Sequence, residues 1–269
     1  MMRVLGALLA VILSVAGAGA NAQSRLDDII AHGALRVGMT GDYRPFSQHV
    51  KDKDAASGNE VEKWSGLDVI MARQLAESLG VKADFVLTTW SALMPDLAEG
   101  KFDIGMGGIS ITLARQRTAL FSQPLMRVGK TPIARCAVQA RFTTLADIDK
   151  PGVKVIVNPG GSNEKFDRAN LRQAEIVVFP DNTRIFDELV SGRADLMITD
   201  AVETKLQQKL HKELCAIHPD QPFDFGELGY LLPRDMIWKQ YVDQWLHIAI
   251  ESGAYRKLLD AELGTGDSK

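Results

Sequence analysis

The chain has 269 residues and a formal net charge of −3 at pH 7, with 46% hydrophobic and 24% charged residues. This length is enough for one large domain or for two smaller lobes. The mild acidity argues against nucleic acid or an anionic membrane surface as the main partner. Any anionic ligand must therefore be held by a few local basic groups.

The first 22 residues, MMRVLGALLAVILSVAGAGANA, contain one positive charge at Arg3, a short apolar run and small residues at Ala20 and Ala22. This pattern is typical of a secretory signal peptide and predicts cleavage after Ala22. The apolar run is too short and too rich in small residues to predict a membrane span, and no later segment is long enough either. We therefore expect an exported mature chain of about 247 residues without a membrane span.

The two cysteines of the sequence are Cys136 and Cys215. An oxidising compartment predicts one disulfide between them, with two buried free thiols as the alternative. The five histidines are scattered and neither cysteine has a second thiol nearby, so no metal site is predicted.

Periodicity and helix breakers define the elements of the first half of the chain. The spacing predicts a helix from Arg25 to Gly33, a strand over Ala34–Met39 and an aromatic turn over residues 41–46. Residues 47–64 are polar and aperiodic, which predicts an exposed loop. The pattern then predicts a helix, a strand, a short helix, and a strand with a loop, over residues 67–79, 81–90, 91–100 and 102–112.

The second half of the chain repeats this order. Residues 153–171 predict a strand, a glycine turn and a helix, and the segments 174–180, 182–192 and 194–200 predict a strand, a helix and a strand. Strands that alternate with helices predict parallel α/β sheets. Two such units predict two lobes, with a ligand cleft where the carboxyl ends of the strands meet.

Two acids lie at the end of the last of these strands, in the stretch MITDAVETKL. Asp200 and Glu203 are three residues apart, so on a helix they are neighbours on one face. By spacing alone they resemble an N-cap and its N3 partner. The alternative is that both carboxyl groups face the cleft, where one of them binds a cation or donates a proton.

Three stretches resemble the periplasmic amino-acid-binding proteins that supply ABC importers: SGLDVIMARQLAESLG, FDIGMGGISITLARQRTALFSQPL and ADLMITD. This resemblance implies the type II periplasmic-binding-protein-like α/β fold, in which two crossing strands join two lobes around the ligand cleft. It places lobe 1 at residues 23–127 plus 222–269 and lobe 2 at residues 128–221. Cys136 and Cys215 would then staple the base of lobe 2.

A narrower resemblance is to the periplasmic cyclohexadienyl dehydratases. It depends on seven motifs in order, GDYRPF, TTWSALM, GKTPIARC, IVNPGGSNEKFDRANL, TDAVETKL, CAIHPDQPFDF and YLLPRDMIWKQYVDQWLHIA. It implies a cofactor-free lyase that acts on the small molecules prephenate and L-arogenate. The alternative is a non-catalytic amino-acid-binding subunit of an importer. Residues 47–64 and the short polar tail after Leu259 depart from the family pattern, which leaves cleft access and assembly as a homo-oligomer open.

The resemblance also implies roles for the polar residues of the cleft. Glu203 would be the general acid, and Asn163 would help to place the departing hydroxyl or a carboxylate. Asp200 corresponds to the acid that holds the ligand ammonium in amino-acid-binding relatives. Arg115 would clamp a substrate carboxylate through its two parallel donors. Further donors are expected from Ser110, which lies shortly before Arg115, and from Gly161 and Ser162, where a helix start favours anion binding.

The remaining predicted contacts are one lysine and three aromatic residues. Lys130 lies at the first predicted crossing, where closure of the cleft would bring its charge to the ligand. Trp90, Tyr43 and Phe46 would sandwich the flat substrate ring. Ordinary structural roles compete with these predictions: Arg115 and Lys130 as solvated cations, Phe46 as core, and residues 159–163 as a simple capped turn.

Overall fold

The computed structural model describes residues 23–53 and 59–265. The predicted signal peptide, residues 1–22, lies outside the described residues. Within these ranges the helices are α1 Arg25–His32, α2 Leu67–Ser78, α3 Leu93–Ala98, α4 Leu113–Gln116, α5 Leu145–Ile148, α6 Ser162–Asn170, α7 Ile185–Val190, α8 Ala201–Leu210, α9 Met236–Glu251 and α10 Ala254–Glu262. Two short 3-10 helices cover Cys136–Arg141 and Asn182–Arg184.

The strands of the same ranges are β1 Ala34–Met39, β2 Asp42–Tyr43, β3 Ser47–Lys53, β4 Glu60–Ser65, β5 Lys82–Leu87, β6 Ile104–Gly105, β7 Leu120–Phe121, β8 Met126–Val128, β9 Lys130–Arg135, β10 Lys154–Val157, β11 Glu175–Val178, β12 Leu196–Asp200, β13 Leu214–Ala216, β14 Gly226–Leu228 and β15 Leu231–Leu232. Ten of them form two five-stranded sheets, in the orders β5-β1-β6-β15-β7 and β11-β10-β12-β9-β13, and the other five form the sheets β14-β8 and β2-β3-β4. Each five-stranded sheet belongs to one lobe.

Both sheets are mixed, whereas the sequence predicted parallel sheets. β5, β1 and β6 are parallel in the first sheet, as are β11, β10 and β12 in the second. β15 is antiparallel to β6 and β7, and β9 is antiparallel to β12 and β13. β9 and β15 follow the strands β8 and β14 without an intervening helix, so they are not delivered by the crossover that makes neighbouring strands parallel.

The two lobes are joined by β8 and β14. These strands pair antiparallel, with Met126 opposite Leu228 and Val128 opposite Gly226. The chain leaves the first sheet after β7, builds the second sheet from β9 to β13, and returns to the first sheet at β15. The cleft therefore lies beside this short two-stranded connection. The exact lobe bounds, 23–127 plus 222–269 and 128–221, stay a prediction.

The predicted exposed loop at residues 47–64 is wrong for most of its length. β3 and β4 form an antiparallel hairpin in register from Gln48–Ser65 to Lys53–Glu60. Cross-strand side-chain pairs hold it, including the ion pair of Lys63 with Asp52 and the tilted ring contact of His49 with Trp64. Most residues of this hairpin are polar, so its sequence lacks the alternation of apolar and polar residues that usually indicates a strand.

Separate cores stabilise the two lobes. In lobe 1, β1 contributes Leu35, Val37 and Met39, and α9 contributes Trp238, all of them without exposed surface. In lobe 2, one cluster lies on each face of the second sheet. None of the helices within the described ranges combines the length and the apolar character that a membrane span requires.

A disulfide joins Cys136 to Cys215. It connects the segment after β9 to the neighbouring strand β13 and closes a sequence separation of 79 residues. In the chain-entropy model a loop of this length stabilises the folded state by about 4 kcal/mol. The bridge therefore fastens the edge strand β13 to the segment that follows its neighbour β9.

Candidate active site

A narrow cavity lies between the two lobes. From lobe 1 it is lined by Tyr43, Trp90, Gly108 and Ser110. From lobe 2 it is lined by Asn158, Gly161, Ser162, Asn163, Asp200 and Glu203, together with Asn182. Asn158 directly follows β10 and Asp200 ends β12, and these strands are parallel neighbours. Their carboxyl ends therefore deliver the polar groups of lobe 2 to one place.

A charged pair lies at the cavity: Asp200 lines it, and Lys130 binds Asp200 and two other lining residues. Lys130 Nζ donates to Asp200 Oδ1 at 2.8 Å, to Asn163 Oδ1 at 2.5 Å and to Ser162 Oγ at 3.1 Å. Tyr43 Oη donates to the other Asp200 oxygen at 2.8 Å, across the lobe boundary. Lys130 and Asp200 are only 5% and 4% exposed, so this ion pair is shielded from solvent.

Glu203 lies beside this pair on the first turn of α8 and is 2% exposed. Thr199 Oγ1 donates to Glu203 Oε2 at 2.5 Å and accepts from Asn163 Nδ2 at 3.0 Å. Burial, together with the negative charges of Asp200 and Asp42, raises the pKa of Glu203 to about 8, against the opposing effects of Thr199 and Lys130. At neutral pH the side chain is therefore mainly the neutral acid, which can donate a proton.

The two acids of MITDAVETKL do not form a capping pair. Asp200 occupies the N-cap position of α8, but its side chain makes no capping hydrogen bond to the helix. Its oxygens bind Lys130 and Tyr43 instead, and Glu203 binds Thr199. Both carboxyl groups line the cavity.

Six further predicted residues line the cavity: Ser110, Gly161, Ser162, Asn163, Trp90 and Tyr43. Ser110 Oγ and Ser162 Oγ, from opposite lobes, are 2.9 Å apart. Gly161 is the N-cap residue of α6 and makes no side-chain cap, so the first N–H groups of this helix are not capped by it. These groups favour a negative charge at this end of the cavity.

Three predicted residues are not among those that line the cavity: Lys130, Phe46 and Arg115. Lys130 binds the lining residues Asp200, Asn163 and Ser162. Phe46 has no exposed surface and packs in the core of lobe 1 against Tyr43, with the ring centroids 5.2 Å apart. Phe46 therefore packs in the apolar core behind the turn and does not line the cavity. Arg115 is 5% exposed and donates to the carbonyl oxygen of Ser110 at 2.8 Å, so it supports the cavity wall from behind. Burial lowers the pKa of Arg115, and the charge of Asp200 opposes that shift.

Comparisons with known proteins place this geometry in a family. The model for the bacterial extracellular solute-binding proteins, family 3, matches residues 35–265. The chain is 56% identical over 253 residues to a cyclohexadienyl dehydratase of Pseudomonas aeruginosa, covering 94% of this chain and 91% of that protein. The chain belongs to the cyclohexadienyl dehydratases within family 3 of the solute-binding proteins.

Solved structures agree with this assignment. The ancestral amino acid-binding protein AncCDT-1, described as a precursor of cyclohexadienyl dehydratase, superposes with a TM-score of 0.79 and 36% identity over 89% of this chain and all of that chain. A variant of the ancestral cyclohexadienyl dehydratase AncCDT-3 is 48% identical, with a TM-score of 0.54 over 90% of this chain and 97% of that chain. The two-lobed solute-binding fold predicted from the sequence is confirmed.

Three polar residues at the cavity of this protein were not predicted from the sequence: Asn158, Asn182 and Asp42. Asn158 and Asn182 line it, and both are mostly buried. Asp42 lies behind Trp90, whose Nε1 donates to Asp42 Oδ1 at 3.0 Å. Burial raises the pKa of Asp42. Asn158 could have been predicted, because it is a polar residue directly after a buried strand. Asn182 has no such local pattern and reaches the cavity only through the tertiary fold.

A fourth missed residue, Asp68, shapes the wall of the cavity that lobe 1 provides. It has no exposed surface and accepts hydrogen bonds from the backbone N–H groups of Gly107 and Gly108, at 2.9 and 3.0 Å, and from Tyr230 Oη at 2.9 Å. Burial raises its pKa to about 6, although these donors oppose the shift. Asp68 therefore fixes the glycine turn that places Gly108 at the cavity.

Metal ligation has no support within residues 23–53 and 59–265, where no group of three or more His, Cys, Asp or Glu side chains is placed to hold an ion. The polar groups that line the cavity are two carboxyl groups, amides and hydroxyls, and the Lys130 ammonium binds one of the two carboxyl groups. Such a set has the chemistry to bind a polar organic molecule and to donate a proton to it.

Asp167 is a buried acid outside the cavity. It lies one helical turn after Asn163 on α6, has no exposed surface, and neither carboxyl oxygen has a hydrogen-bond partner among the described residues. Burial raises the pKa of Asp167 to about 8, which the attraction of Lys130 only partly opposes. At a pH where the carboxyl of the unfolded chain is ionised, each unit by which folding raises the pKa of Asp167 lowers the free energy of unfolding.

Asp167→Asn is expected to stabilise the protein at pH 8 by on the order of 5 kcal/mol and to change little at pH 4. The folded pKa is raised, so the wild type loses stability as pH rises from about 4 to about 8, and the neutral amide does not. Denaturant unfolding at both pH values measures this, with exposed Asp187→Asn as the control. An equal effect of Asp167→Asn at both pH values would contradict the burial of an ionisable carboxyl.

Proposed function

We propose that this protein is a periplasmic dehydratase that converts prephenate to phenylpyruvate, and L-arogenate to L-phenylalanine, in the interlobe cavity. The observation that carries the proposal is Glu203, a buried carboxyl that lines the cavity with a pKa raised to about 8. The 56% identity to a cyclohexadienyl dehydratase over nearly the whole chain supports the same reaction. Both products arise by the same loss of carbon dioxide and water.

The reaction requires one proton. The bond from the ring to its carboxylate breaks, and carbon dioxide leaves while its electron pair enters the ring. The bond from ring C4 to the hydroxyl breaks at the same time, and the ring becomes aromatic. Hydroxide is a poor leaving group, so the Glu203 proton is transferred to it and water departs. Such general-acid catalysis contributes about 10²–10⁴-fold. Glu203 then regains a proton from solvent.

The positive groups of the cavity fit a substrate with two carboxylates. Lys130 binds Ser162 and Asp200 of the cavity lining, α6 begins at Ser162 of the same lining, and Arg115 donates to the carbonyl oxygen of Ser110. Together they offset the charge of Asp200, which would otherwise repel the anionic substrate. Asn163 and Ser162 hold the Lys130 ammonium in place, and Trp90 and Tyr43 provide aromatic faces for the ring.

The pairing of Lys130 with Asp200 favours the dehydratase over an importer subunit. In amino-acid-binding relatives the acid at this position is expected to hold the ammonium of the ligand. Here the ammonium of Lys130 is 2.8 Å from Asp200, so the chain itself supplies that cation. Prephenate has no ammonium group and needs no free acid at this position.

The decisive experiment mixes the purified mature chain with prephenate and follows phenylpyruvate by its absorbance. Product formation supports the dehydratase. Absence of product together with tight binding of a free amino acid would support the alternative, a non-catalytic subunit of an importer. The family consists of extracellular proteins, and the proposed site of action is the periplasm after cleavage behind Ala22. Mass spectrometry of the exported chain tests this cleavage.

The rate is expected to fall at alkaline pH. Protonated Glu203 is the active form, so kcat/KM for prephenate should be level below about pH 8 and fall about tenfold per unit above it. Initial rates between pH 6 and 10, corrected for the uncatalysed reaction, measure this profile. A rate that rises with pH through this range would require an ionised Glu203 and would contradict the assignment.

A further inference from the structure

Asn182 reaches the cavity from the 3-10 helix before α7. It is 7% exposed, and its Nδ2 donates to the backbone oxygen of Asp42 at 2.9 Å, across the lobe boundary. The amide N–H groups also stabilise the Asp42 carboxyl. Because a carbonyl can only accept a hydrogen bond, this contact fixes which end of the Asn182 amide points at lobe 1.

The other end of this amide is an unused acceptor. Asn182 Oδ1 is buried and has no hydrogen-bond partner within the described part of the chain. A buried polar atom without a partner is costly in a folded protein, by about 1–3 kcal/mol. Such atoms therefore call for an explanation, and a partner supplied by the ligand is one. Asn182 lines the same cavity as Glu203, and a ligand bound in this cavity would be next to Asn182.

The substrate offers few donors to this oxygen. With both carboxylates ionised, prephenate has one hydrogen-bond donor, the hydroxyl at ring C4. Arogenate has the same hydroxyl and adds an ammonium group. The hydroxyl is therefore the donor that both substrates share, and it is also the group that must leave.

We propose that Asn182 Oδ1 accepts the hydrogen bond of the substrate hydroxyl and so positions this leaving group for Glu203. A hydroxyl that donates to Asn182 presents its lone pairs in other directions, one of which is then open to the Glu203 proton. Asn182 and Glu203 line the same cavity, and the hydrogen bond to the backbone oxygen of Asp42 holds the Asn182 amide in place. This inference rests on the proposed dehydratase function.

The experiment compares the wild type with Asn182→Leu and Asn182→Ala, using prephenate and arogenate separately. Exposed Thr183→Val, on the same 3-10 helix, is the control. We expect kcat to fall about tenfold with both substrates, as for the loss of one hydrogen bond to a reacting group. Phenylpyruvate lacks the ring hydroxyl, so its Kd should change less than about twofold.

Each other outcome has a distinct meaning. Loss of activity with arogenate alone would overturn the inference, because the acceptor would then serve the ammonium group. Unchanged kcat with both substrates would also overturn it. An equal loss of phenylpyruvate affinity would assign the effect to cleft closure through Asp42 and overturn it as well. If the wild type forms no product from either substrate, the proposed function fails first, and this inference falls with it.

Discussion

Replacing Glu203 by glutamine is expected to lower kcat for prephenate by at least about 10²-fold, while the Kd of phenylpyruvate changes little. Glutamine keeps the size of the side chain and its place beside Thr199, but it has no acidic proton. Glu203 is already neutral near pH 7 because its pKa is raised to about 8, so the substitution adds no charge change in the resting site. The loss therefore isolates proton transfer.

The same variant has a second expected signature. Its residual rate should lack the alkaline decline above about pH 8, because the titrating group is gone. Exposed Glu213→Gln, in the same lobe, controls for a general effect of removing a carboxylate. Full activity of Glu203→Gln would remove Glu203 from the acid role, and the next candidates would be the polar groups around it.

Much of the lobe architecture could be predicted from the sequence because its local signals agree. The predicted helix from Leu67 to Leu79 corresponds to α2, and the strand at Ala34–Met39 corresponds to β1. In both segments apolar periodicity ends at a glycine or a turn. The hairpin of β3 and β4 could not be predicted in this way, because most of its residues are polar and its strands are held by cross-strand pairs.

The residues of the candidate site also differ in whether a local sequence pattern predicts them. Residues directly after a buried strand or at a helix start, such as Asp200 and Ser162, could be found from local pattern and family resemblance. Asn182 and Asp42 matter because the lobes bring them together, and no short-range signal records a contact 140 residues apart. Phe46 was predicted to contact the substrate ring, but in the structure it packs against Tyr43 in the core of lobe 1.

The meaning of MITDAVETKL also depended on long-range contacts. The i, i+3 spacing of Asp200 and Glu203 fits a helix cap as well as a cleft. Lys130, 70 residues earlier, holds Asp200, and burial in the cavity keeps the Glu203 proton. A binding protein and an enzyme can therefore share this stretch and differ in what the rest of the fold places against it.

Lys130→Met is expected to lower kcat/KM for prephenate by about 10²–10³-fold, as for the loss of one preorganised donor in a water-excluded site. The variant leaves the buried charge of Asp200 with Tyr43 as its remaining partner, which repels the substrate carboxylates. Removing one partner of a buried ion pair should also lower the free energy of unfolding by on the order of 3 kcal/mol. Denaturant unfolding measures this second effect.

Arogenate is expected to lose less than prephenate in the Lys130→Met variant. Its ammonium group can replace the lost ammonium of Lys130 against Asp200, whereas prephenate has no cation to offer. The ratio of kcat/KM for arogenate to that for prephenate should therefore rise. Lys205→Met is the control, because Lys205 makes an ion pair with the exposed Asp220 at the protein surface. Equal losses with both substrates would mean that Lys130 does not occupy the ammonium position of amino-acid-binding relatives, and the argument from this ion pair would fail.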